Sequence, residues 1–331
     1  MLESNIEEII SNTKLINKDK LFNKTKEIIK AYREVIDSNK LLLMSANKID
    51  KKNNGFDIDF DVIENIFVNV LNEENIYGTV TLSKMSEELI YGKEILDKGN
   101  VIVINDGNTY VVLEMILRNL LVGNTTIITN NGYMYGVNNL LIIFIQEILD
   151  KYNINKNLVQ LCIDSNLDIL DKTYGIDLVV CIGNKSLQNR VLNKCKSNVV
   201  LSGYENFDIY VEDDTHKEFI DKIVSIGLNI DIYIDDKLDL EYSNSIKVNG
   251  IEGAINAINV NSSKYSVAIF TTNSDNASKF IKEIKANQVT VNTSPTIERI
   301  MDINQSDLYI EKKVIYPNNI KIMNTIELDL E

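Results

Sequence analysis

The stretch YSVAIFTTN, residues 265–273, is the part of the chain that decides the fold. Its apolar, β-branched run at 266–271 predicts a short buried strand. A segment with helical character follows at 275–285, and a second β-rich run, QVTV, follows at 288–291. A strand, a helix and a strand in this order are typical of a βαβ unit with two parallel strands.

The same alternation extends upstream through most of the chain. Strand-like runs occupy 101–104, 125–129, 159–163, 178–182 and 230–234, and helical patterns occupy 111–121, 138–152, 187–194, 216–226 and 251–258. Two further strand-like runs lie within 199–211. Short strands that alternate with helices of about a dozen residues predict an α/β protein with parallel sheets.

The two ends of the chain have different patterns. Apolar residues at helical spacing between 5 and 39 predict two amphipathic packing helices that are separated near 17–20. Residues 40–100 mix short apolar runs with polar breaks and give no clear assignment. The tail at 308–330 alternates apolar and polar residues, which favours extended strands.

Composition and charge narrow the partners. The chain has 331 residues, which suits two domains or one domain with a smaller lobe, and 48 acidic against 34 basic residues give a formal charge of −14. This excess of negative charge argues against nucleic acid and anionic membrane surfaces as partners. The longest apolar run, residues 140–145, is far shorter than a bilayer span, and the first residues lack signal-peptide character, so we expect a cytoplasmic protein.

Metal-binding residues are scarce. Three cysteines without a CxxC pair and the single His216 suggest neither a disulfide framework nor a zinc site. The acidic run at 212–214 could hold a cation, but a charged helix start is the simpler interpretation. We interpret the acidic pair at 235–236 as an exposed turn and His216 as a solvated residue at a helix start.

Three segments carry a resemblance to a known family. They are NDGNTYVVLE at 105–114 with LLVGNTTII at 120–128, VVCIGNK at 179–185, and YSVAIFTTN with VTVN at 289–292. They resemble the aldehyde dehydrogenase superfamily, in its γ-glutamyl phosphate reductase and CoA-acylating branches. The resemblance implies a Rossmann-like cofactor domain at 1–206, a shortened catalytic-type α/β domain at 207–292 and a C-terminal strand segment at 293–331 for oligomerisation.

The resemblance also implies where a cofactor would bind. NAD or NADP would lie over the ends of the first set of strands, with Asn105, Thr129, Gly183 and Asn184 as candidate binding residues. A glycine at a helix entrance lets a phosphate approach free backbone N–H groups, but one glycine after a strand is weak evidence and a plain structural turn is the preferred interpretation. The chain departs from its relatives here, with Asn184 where they often have a second glycine and an uncharged segment at 130–132.

The catalytic cysteine of the family has no counterpart after Cys195. Acyl transfer in this family requires a thiolate nucleophile, and hydride leaves from the thiohemiacetal that it forms. Cys162 and Cys181 lie within apolar strand-like runs, where a buried inert thiol is expected. Lys194 and a second lysine flank Cys195, yet it falls at the far end of the helix that follows Gly183. We therefore assign no catalytic residue.

These observations leave three hypotheses for the function. The first is a non-catalytic structural or regulatory subunit, in a homo-oligomer or in a hetero-assembly with an active relative. The second is an NAD(P)-dependent oxidoreductase that acts on an aldehyde, acyl phosphate or acyl-CoA through a rearranged site. The third is a nucleotide sensor without turnover. We favour the first. The helical pattern at 1–15 also resembles peptides that dock enzymes into bacterial microcompartments, although any terminal packing helix has the same pattern.

Overall fold

The structure is a computed structural model, and it describes most of the chain. The described residues are 9, 11–12, 19–53, 55–74, 78–84, 89–105, 107–130, 134–162, 170, 175–183, 185–202, 207–225, 230–243, 245–261, 266–286, 288–295, 303 and 305–317.

Ten helices of the described residues are labelled in chain order. They are α1 (Asp19–Phe22), α2 (Thr25–Ser38), α3 (Lys40–Lys51), α4 (Phe60–Asn72), α5 (Thr109–Leu121), α6 (Tyr135–Lys151), α7 (Lys185–Lys194), α8 (Lys217–Ser225), α9 (Gly250–Asn261) and α10 (Ser274–Glu283). Side chains of neighbouring residues cap several of them. Asn108 accepts hydrogen bonds from the first turn of α5, Asp59 caps α4, and Asn273 caps α10, because a short polar side chain satisfies free N–H groups there.

Two five-stranded parallel sheets form the body of the molecule. The first contains β3 (Asn100–Asn105), β4 (Thr125–Asn130), β5 (Val159–Cys162), β6 (Leu178–Ile182) and β7 (Asn198–Ser202). The second contains β8 (Phe207–Val211), β9 (Ile230–Asp235), β10 (Ser245–Val248), β11 (Ser266–Phe270) and β12 (Gln288–Val291). Their orders are β5-β4-β3-β6-β7 and β10-β9-β8-β11-β12, so both sheets have the same topology. The α/β class with parallel sheets is therefore confirmed.

A third sheet forms an arm. It contains β1 (Val80–Lys84), β2 (Leu89–Asp97) and β13 (Tyr309–Pro317), and it is antiparallel, with β2 in the centre. The predicted extended tail is thus a strand from 309 to 317, and the remainder of that prediction, 318–330, lies outside the described residues. The partner of this strand comes from a region that the sequence pattern left unassigned.

A buried asparagine anchors the arm to the first sheet. Gly123 adopts φ +74°, which ends α5, and the following Asn124 is fully buried. The Asn124 side chain accepts a hydrogen bond from Lys98 N–H and donates to the Asn119 side chain and to the Leu308 carbonyl, each at 2.8 Å. The Gly-Asn step therefore both stops a helix and holds the start of β13.

Separate apolar clusters lie on the two faces of each sheet. The largest packs α2, α4, α5 and α6 against the first sheet, and the opposite face packs against α7. Ile9 is 1% exposed within this second cluster, and its carbonyl accepts a hydrogen bond from Gln160. Ile9, one of the apolar residues in the helical pattern near the N-terminus, therefore contributes to the protein's own core.

The sequence pattern missed several elements that now have a physical explanation. Helices α3 and α4 fall between 40 and 72, where the sequence pattern predicts neither, because their apolar residues occur in consecutive pairs and triplets and obscure the helical period. The short edge strand β10 was missed because its exposed and buried residues give no alternation. None of the helices in the described ranges combines the length and apolar character that a bilayer crossing requires.

Candidate functional site

The candidate cofactor residues lie at the carboxyl end of the first sheet. The strand order reverses between β3 and β6, and ligands of open parallel sheets bind beside such a reversal. Asn105 ends β3 and Gly183 follows β6, so the fold places them on the two strands that flank this position. Thr129 lies on the neighbouring strand β4, and Asn184 lies outside the described residues.

The side chains of Asn105 and Thr129 are bonded within the fold. Asn105 Oδ1 accepts a hydrogen bond from Gly107 N–H at 2.6 Å, and its Nδ2 donates to the Thr129 carbonyl at 3.4 Å. The Thr129 hydroxyl donates to the Val103 carbonyl at 3.1 Å. Both residues are almost fully buried. They stabilise the end of the sheet and present few groups to a ligand.

Gly183 is buried under a leucine of the following helix. A Cβ atom at Gly183 would lie 2.7 Å from Leu187 Cδ2, so the missing side chain is what lets Leu187 pack there. The Gly183 N–H donates to the Ser202 carbonyl at 3.1 Å, and the Gly183 carbonyl accepts from Gln188 Nε2 at 3.0 Å. The contact explains this glycine through helix–strand packing, without a phosphate.

The turn from β3 into α5 is also held internally. Asn108 Oδ1 accepts from Tyr110 N–H at 3.0 Å, and Asn138 Nδ2 donates to the Gly107 carbonyl at 2.7 Å. The Tyr110 hydroxyl accepts a hydrogen bond from Asp59 N–H at 2.8 Å, and burial raises the pKa of Tyr110 well above its usual range. The described residues of this turn are therefore packed and bonded within the fold.

The second sheet begins a few residues after the first one ends. Residues 203–206, which have the sequence GYEN and lie outside the described residues, connect β7 to β8. After β8 the chain enters α8 and then β9, as expected from the sequence. The acidic residues behind β8 bond to the β11–α10 turn: Glu212 to the side chains of Thr271 and Asn276, and Asp213 to Thr272 N–H at 2.6 Å.

The other candidate residues also have structural partners. The His216 ring lies 5.9 Å from the Phe270 ring centroid. Asp235 is 4% exposed and accepts hydrogen bonds from the Tyr210 hydroxyl and Lys237 N–H, so the interpretation of this acidic pair as an exposed turn is wrong for Asp235. The sequence does not predict the burial of Asp235 because β9 extends one residue beyond the apolar run at 230–234. In the described part of the chain, no group of three or more His, Cys, Asp or Glu residues is placed to hold a metal ion.

Comparisons with known proteins now bear on this geometry. No family model matches the chain. The γ-glutamyl phosphate reductase of Petrotoga mobilis is 24% identical over 267 residues, which is 64% of this chain and 64% of that protein. That of Oenococcus oeni is 23% identical over 259 residues, 61% of this chain and 62% of the relative. The matched stretch thus spans less than two thirds of the length of these curated relatives.

Solved structures match nearly the whole chain. The γ-glutamyl phosphate reductase of Thermotoga maritima aligns with a TM-score of 0.60 at 17% identity, covering 95% of this chain and 98% of that one. A propionaldehyde dehydrogenase from a Clostridium phytofermentans microcompartment aligns at 0.65 and 12% identity, covering 96% of both chains. The glyceraldehyde-3-phosphate dehydrogenase GapN of Methanocaldococcus jannaschii, solved with NADP, aligns at 0.66 and 13% identity, covering 96% and 95%. The chain has the aldehyde dehydrogenase fold.

The three thiols of this aldehyde dehydrogenase fold are poorly placed for nucleophilic attack. Cys162 in β5 and Cys181 in β6 are fully buried, and burial raises the pKa of Cys181 to about 11. Cys195 is partly buried at the end of α7, burial raises its pKa as well, and its thiol donates to the Ser197 carbonyl at 3.5 Å. A nucleophilic cysteine requires the opposite shift, since the thiolate is the reactive form.

The described candidate residues do not fit a dinucleotide. A pyrophosphate at the helix entrance would need free N–H groups and space over the glycine. Here the Gly183 N–H is bonded to β7, and the side on which a Cβ atom would project from Gly183 is covered by Leu187. The side chains of Asn105 and Thr129 form hydrogen bonds with neighbouring backbone groups. The solved structures with this fold include one in complex with NADP and one of an NAD-dependent enzyme.

The sequence does not predict the partners of three residues that organise this aldehyde dehydrogenase fold. Leu187 was read only as part of a helix, although its spacing four residues after the glycine would have indicated the contact. Asn124 was recognised as part of a helix stop, but its bond to Leu308 joins positions far apart in the chain. Asn292, at φ 53°, bonds Thr271 N–H and the Thr271 carbonyl at 2.9 Å each, which gives the valine-asparagine end of β12 a structural role.

Proposed function

We propose that this protein is a non-catalytic relative of aldehyde dehydrogenase-type reductases that acts by binding other protein chains, as a structural or regulatory subunit. The observation that carries the proposal is the placement of its thiols. Two of the three cysteines are buried in strands, and the third has a raised pKa in a helix-end contact. No cysteine occurs from residue 196 to the end of the sequence.

The chemistry explains why this matters. Oxidation of an aldehyde or reduction of an acyl phosphate in this superfamily proceeds through a covalent thioester or thiohemiacetal, so the nucleophile cannot be omitted without losing the route. Removal of the nucleophile from a serine protease lowers turnover by about a million-fold. The bonding of Asn105, Thr129 and Gly183 within the fold supports the same conclusion, because it engages polar groups that a cofactor would use.

A second candidate is supported by the curated relatives, which are γ-glutamyl phosphate reductases. The chain would then be an NAD(P)-dependent oxidoreductase of an aldehyde, acyl phosphate or acyl-CoA, with a rearranged site. Cys195 is the one thiol that is not fully buried, so it is the residue through which such a site would work. Its raised pKa places this candidate second.

The arm supports a role in assembly. In the described part of the chain, β13 pairs with β2 along one edge and with no strand along the other. Ile310 and Ile315 of this strand are 44% and 56% exposed. An edge strand with exposed apolar side chains is a site for pairing with another chain. We propose a homo-oligomer, or a hetero-assembly with an active relative, through this arm.

A turnover assay tests the proposal directly. Purified protein at high concentration is incubated with NAD or NADP and a panel of aldehydes, acyl phosphates and acyl-CoA esters, and absorbance of the reduced cofactor is followed. We expect no turnover above the buffer rate. Turnover that disappears in Cys195→Ala would establish the second candidate in place of the first.

A binding measurement separates loss of catalysis from loss of the cofactor site. A ligand at a hundred times its dissociation constant stabilises the folded state by about 2.7 kcal/mol, which a thermal melt detects. We expect no shift with NAD or NADP. A shift without turnover would instead favour the nucleotide-sensor hypothesis, so the two measurements together distinguish all three functions.

A further inference from the structure

Helix α3, which packs against α6, exposes a row of large apolar side chains. Leu41, Leu42, Met44 and Ile49 of α3 are 80%, 47%, 46% and 62% exposed. They share one side of the helix, whereas Leu43, Asn47 and Asp50 on the other side are buried. Exposed apolar residues that occur singly need no explanation, but four on one helix face mark an interaction surface.

Lysines surround this surface. Lys40, Lys48, Lys51 and Lys52 are exposed along α3 and at its end. Lys40 pairs with Asp37 and Lys51 pairs with Asp57 at 2.6 Å, while Lys48 and Lys52 form no ion pair with any residue in the described ranges. The single acid of α3, Asp50, is buried and bonds the first N–H groups of α6. The α3 surface, defined as residues 40–52, is therefore apolar and basic in a chain of formal charge −14.

The complementary pattern is present in the chain itself. The last residues, 326–331, have the sequence IELDLE, in which three apolar residues alternate with three acids. They lie beyond Pro317, the last residue of β13, and outside the described residues. Such a segment offers both apolar side chains for the exposed row on α3 and carboxylates for its lysines, which gives the charge complementarity of a specific contact.

The end of α3 and the start of the arm lie at opposite ends of the first sheet, which favours a second copy as the source of this segment. Asp50 bonds Gly136 and Val137 at the start of α6, so α3 ends at the carboxyl side of the first sheet. The arm begins at the opposite side, where Leu308 is bonded to Asn124 ahead of β4. Among described elements, β13 makes extended contacts only with β2 and the short helix before it.

Simple lengths support this assignment. The six residues of β4 span about 20 Å, which separates the start of the arm from the end of α3, and the nine residues of β13 extend for about 30 Å from that start. The eight residues from 318 to 325 reach about 30 Å at most. A second copy is not subject to this limit, because its α3 surface can approach the end of the arm directly.

We infer that the C-terminal segment 326–331 of one copy binds the apolar and basic α3 surface of a second copy. This contact gives the proposed binding role a specific partner, which is a second copy of this chain. It rests on the proposed function only because it requires the chains to assemble. Exchange of two identical segments would join two copies by a closed, symmetric pair of contacts.

The first experiment measures the contact with a peptide. A fluorescent peptide of residues 318–331 is added to the chain truncated after Pro317, and anisotropy is recorded. We expect binding that weakens with added salt and that weakens at least tenfold in Leu41→Ser and Ile49→Ser. Val260→Ser is the matched control, because Val260 is 81% exposed on α9 and should leave binding unchanged. Peptide affinity that is unchanged by both α3 substitutions would overturn the inference.

The second experiment asks which chain supplies the segment. One full-length variant carries Ile49→Cys and the other Leu328→Cys, both in a Cys195→Ser background, and the mixture is oxidised and mapped by mass spectrometry. We expect a 49–328 disulfide, which can only join two copies. Its absence from the mixture overturns the inference, as does its formation only when both cysteines share one chain.

Two further outcomes are distinguishable. Vesicles containing phosphatidylserine that capture the truncated chain through Leu41 and Ile49, in the absence of peptide binding, would assign the α3 surface to a membrane and overturn the inference. Turnover in the assay of the preceding section would remove the non-catalytic role but leave the association data intact, because neither binding experiment depends on catalysis.

Discussion

The Cδ2 methyl of Leu187 lies 2.7 Å from the position that a Cβ atom would take at Gly183. This relationship explains a glycine that resembles part of a nucleotide-binding turn. Gly183 does not have a positive φ, so its backbone does not require glycine. Glycine is needed at this position because α7 packs closely on the end of β6. Close packing of a helix on a strand is one of the uses of glycine at strand–helix turns.

Gly183→Ala should therefore destabilise the protein through Leu187 alone. Inserting one methyl group into this contact should lower the free energy of unfolding by about 1 kcal/mol, since the leucine end can move partly aside. In a Leu187→Ala background the same substitution should be neutral or slightly stabilising, because alanine restricts the unfolded chain more than glycine does. Urea unfolding of the four proteins gives the coupling energy.

Leu192→Ala is the matched control for this cycle. Leu192 lies on the same helix but is 50% exposed, so it should show no coupling to Gly183. If Gly183→Ala were equally destabilising with and without Leu187, the glycine would be required for another reason.

The cysteines should react slowly with alkylating agents. Because burial raises the pKa values of Cys181 and Cys195, little thiolate is present near pH 7, and native protein should alkylate with iodoacetamide at least ten times more slowly than glutathione. The rate should rise as pH approaches 11. Mass spectrometry of quenched samples assigns each site, and a fast-reacting cysteine at pH 7 would contradict the placement of the thiols.

The raised thiol pKa also predicts the pH dependence of stability. The pKa of Cys181 is about 11 in the folded state and near its ordinary value when unfolded, so the neutral thiol is favoured by folding. The contribution of Cys181 to the free energy of unfolding is fully present below the ordinary pKa of a thiol, near 8.5 to 9. It is lost as the pH rises toward 11. Thermal melts between pH 7 and 11 should show that the Cys181→Ala variant loses less stability with rising pH than the unsubstituted protein does.

A buried ion pair should be far more important than an exposed one. Arg118 Nε and Nη1 lie 2.8 Å from Glu114 Oε1 and Glu73 Oε1, with side chains of Arg118 and Glu114 only 2% and 4% exposed. Glu114→Ala should reduce the free energy of unfolding by about 3 kcal/mol, because it leaves a buried guanidinium short of its partner. Chemical denaturation provides the measurement.

The exposed pair between Arg33 and Glu64 provides the comparison. Its side chains are 42% and 44% exposed, so Glu64→Ala should change the free energy of unfolding by less than about 1 kcal/mol. Similar losses for Glu114→Ala and Glu64→Ala would show that burial does not control the strength of these pairs.

Loss of the Asn124 side chain should release the arm. Asn124→Ala removes the bonds to Lys98 N–H, Asn119 and the Leu308 carbonyl, and it should destabilise the protein by about 2 kcal/mol through unsatisfied buried groups. Limited proteolysis should cut faster between 303 and 317. Asn100→Ala removes a side-chain bond to the Gly175 carbonyl at an exposed site and should not have this effect.

The alternating strands and helices were predictable because each obeys a local rule. β6 matches its predicted bounds, and β11 and β12 coincide with short runs rich in β-branched residues, which favour strands. The region that resisted prediction, α3 and α4, packs through residues whose spacing alone does not distinguish helix from strand. The pairing of β13 with β2 joins positions more than 200 residues apart, and local patterns contain no information on such partners.

The sequence by itself determined the α/β class, the resemblance to aldehyde dehydrogenase-type reductases and the absence of a cysteine after Cys195, because these depend on residue order and identity. Only the tertiary structure decided what Gly183, Asn105 and Thr129 do. Hydrogen-bond partners and close packing are set when distant strands and helices meet, and there the groups that could have met a cofactor bond one another instead.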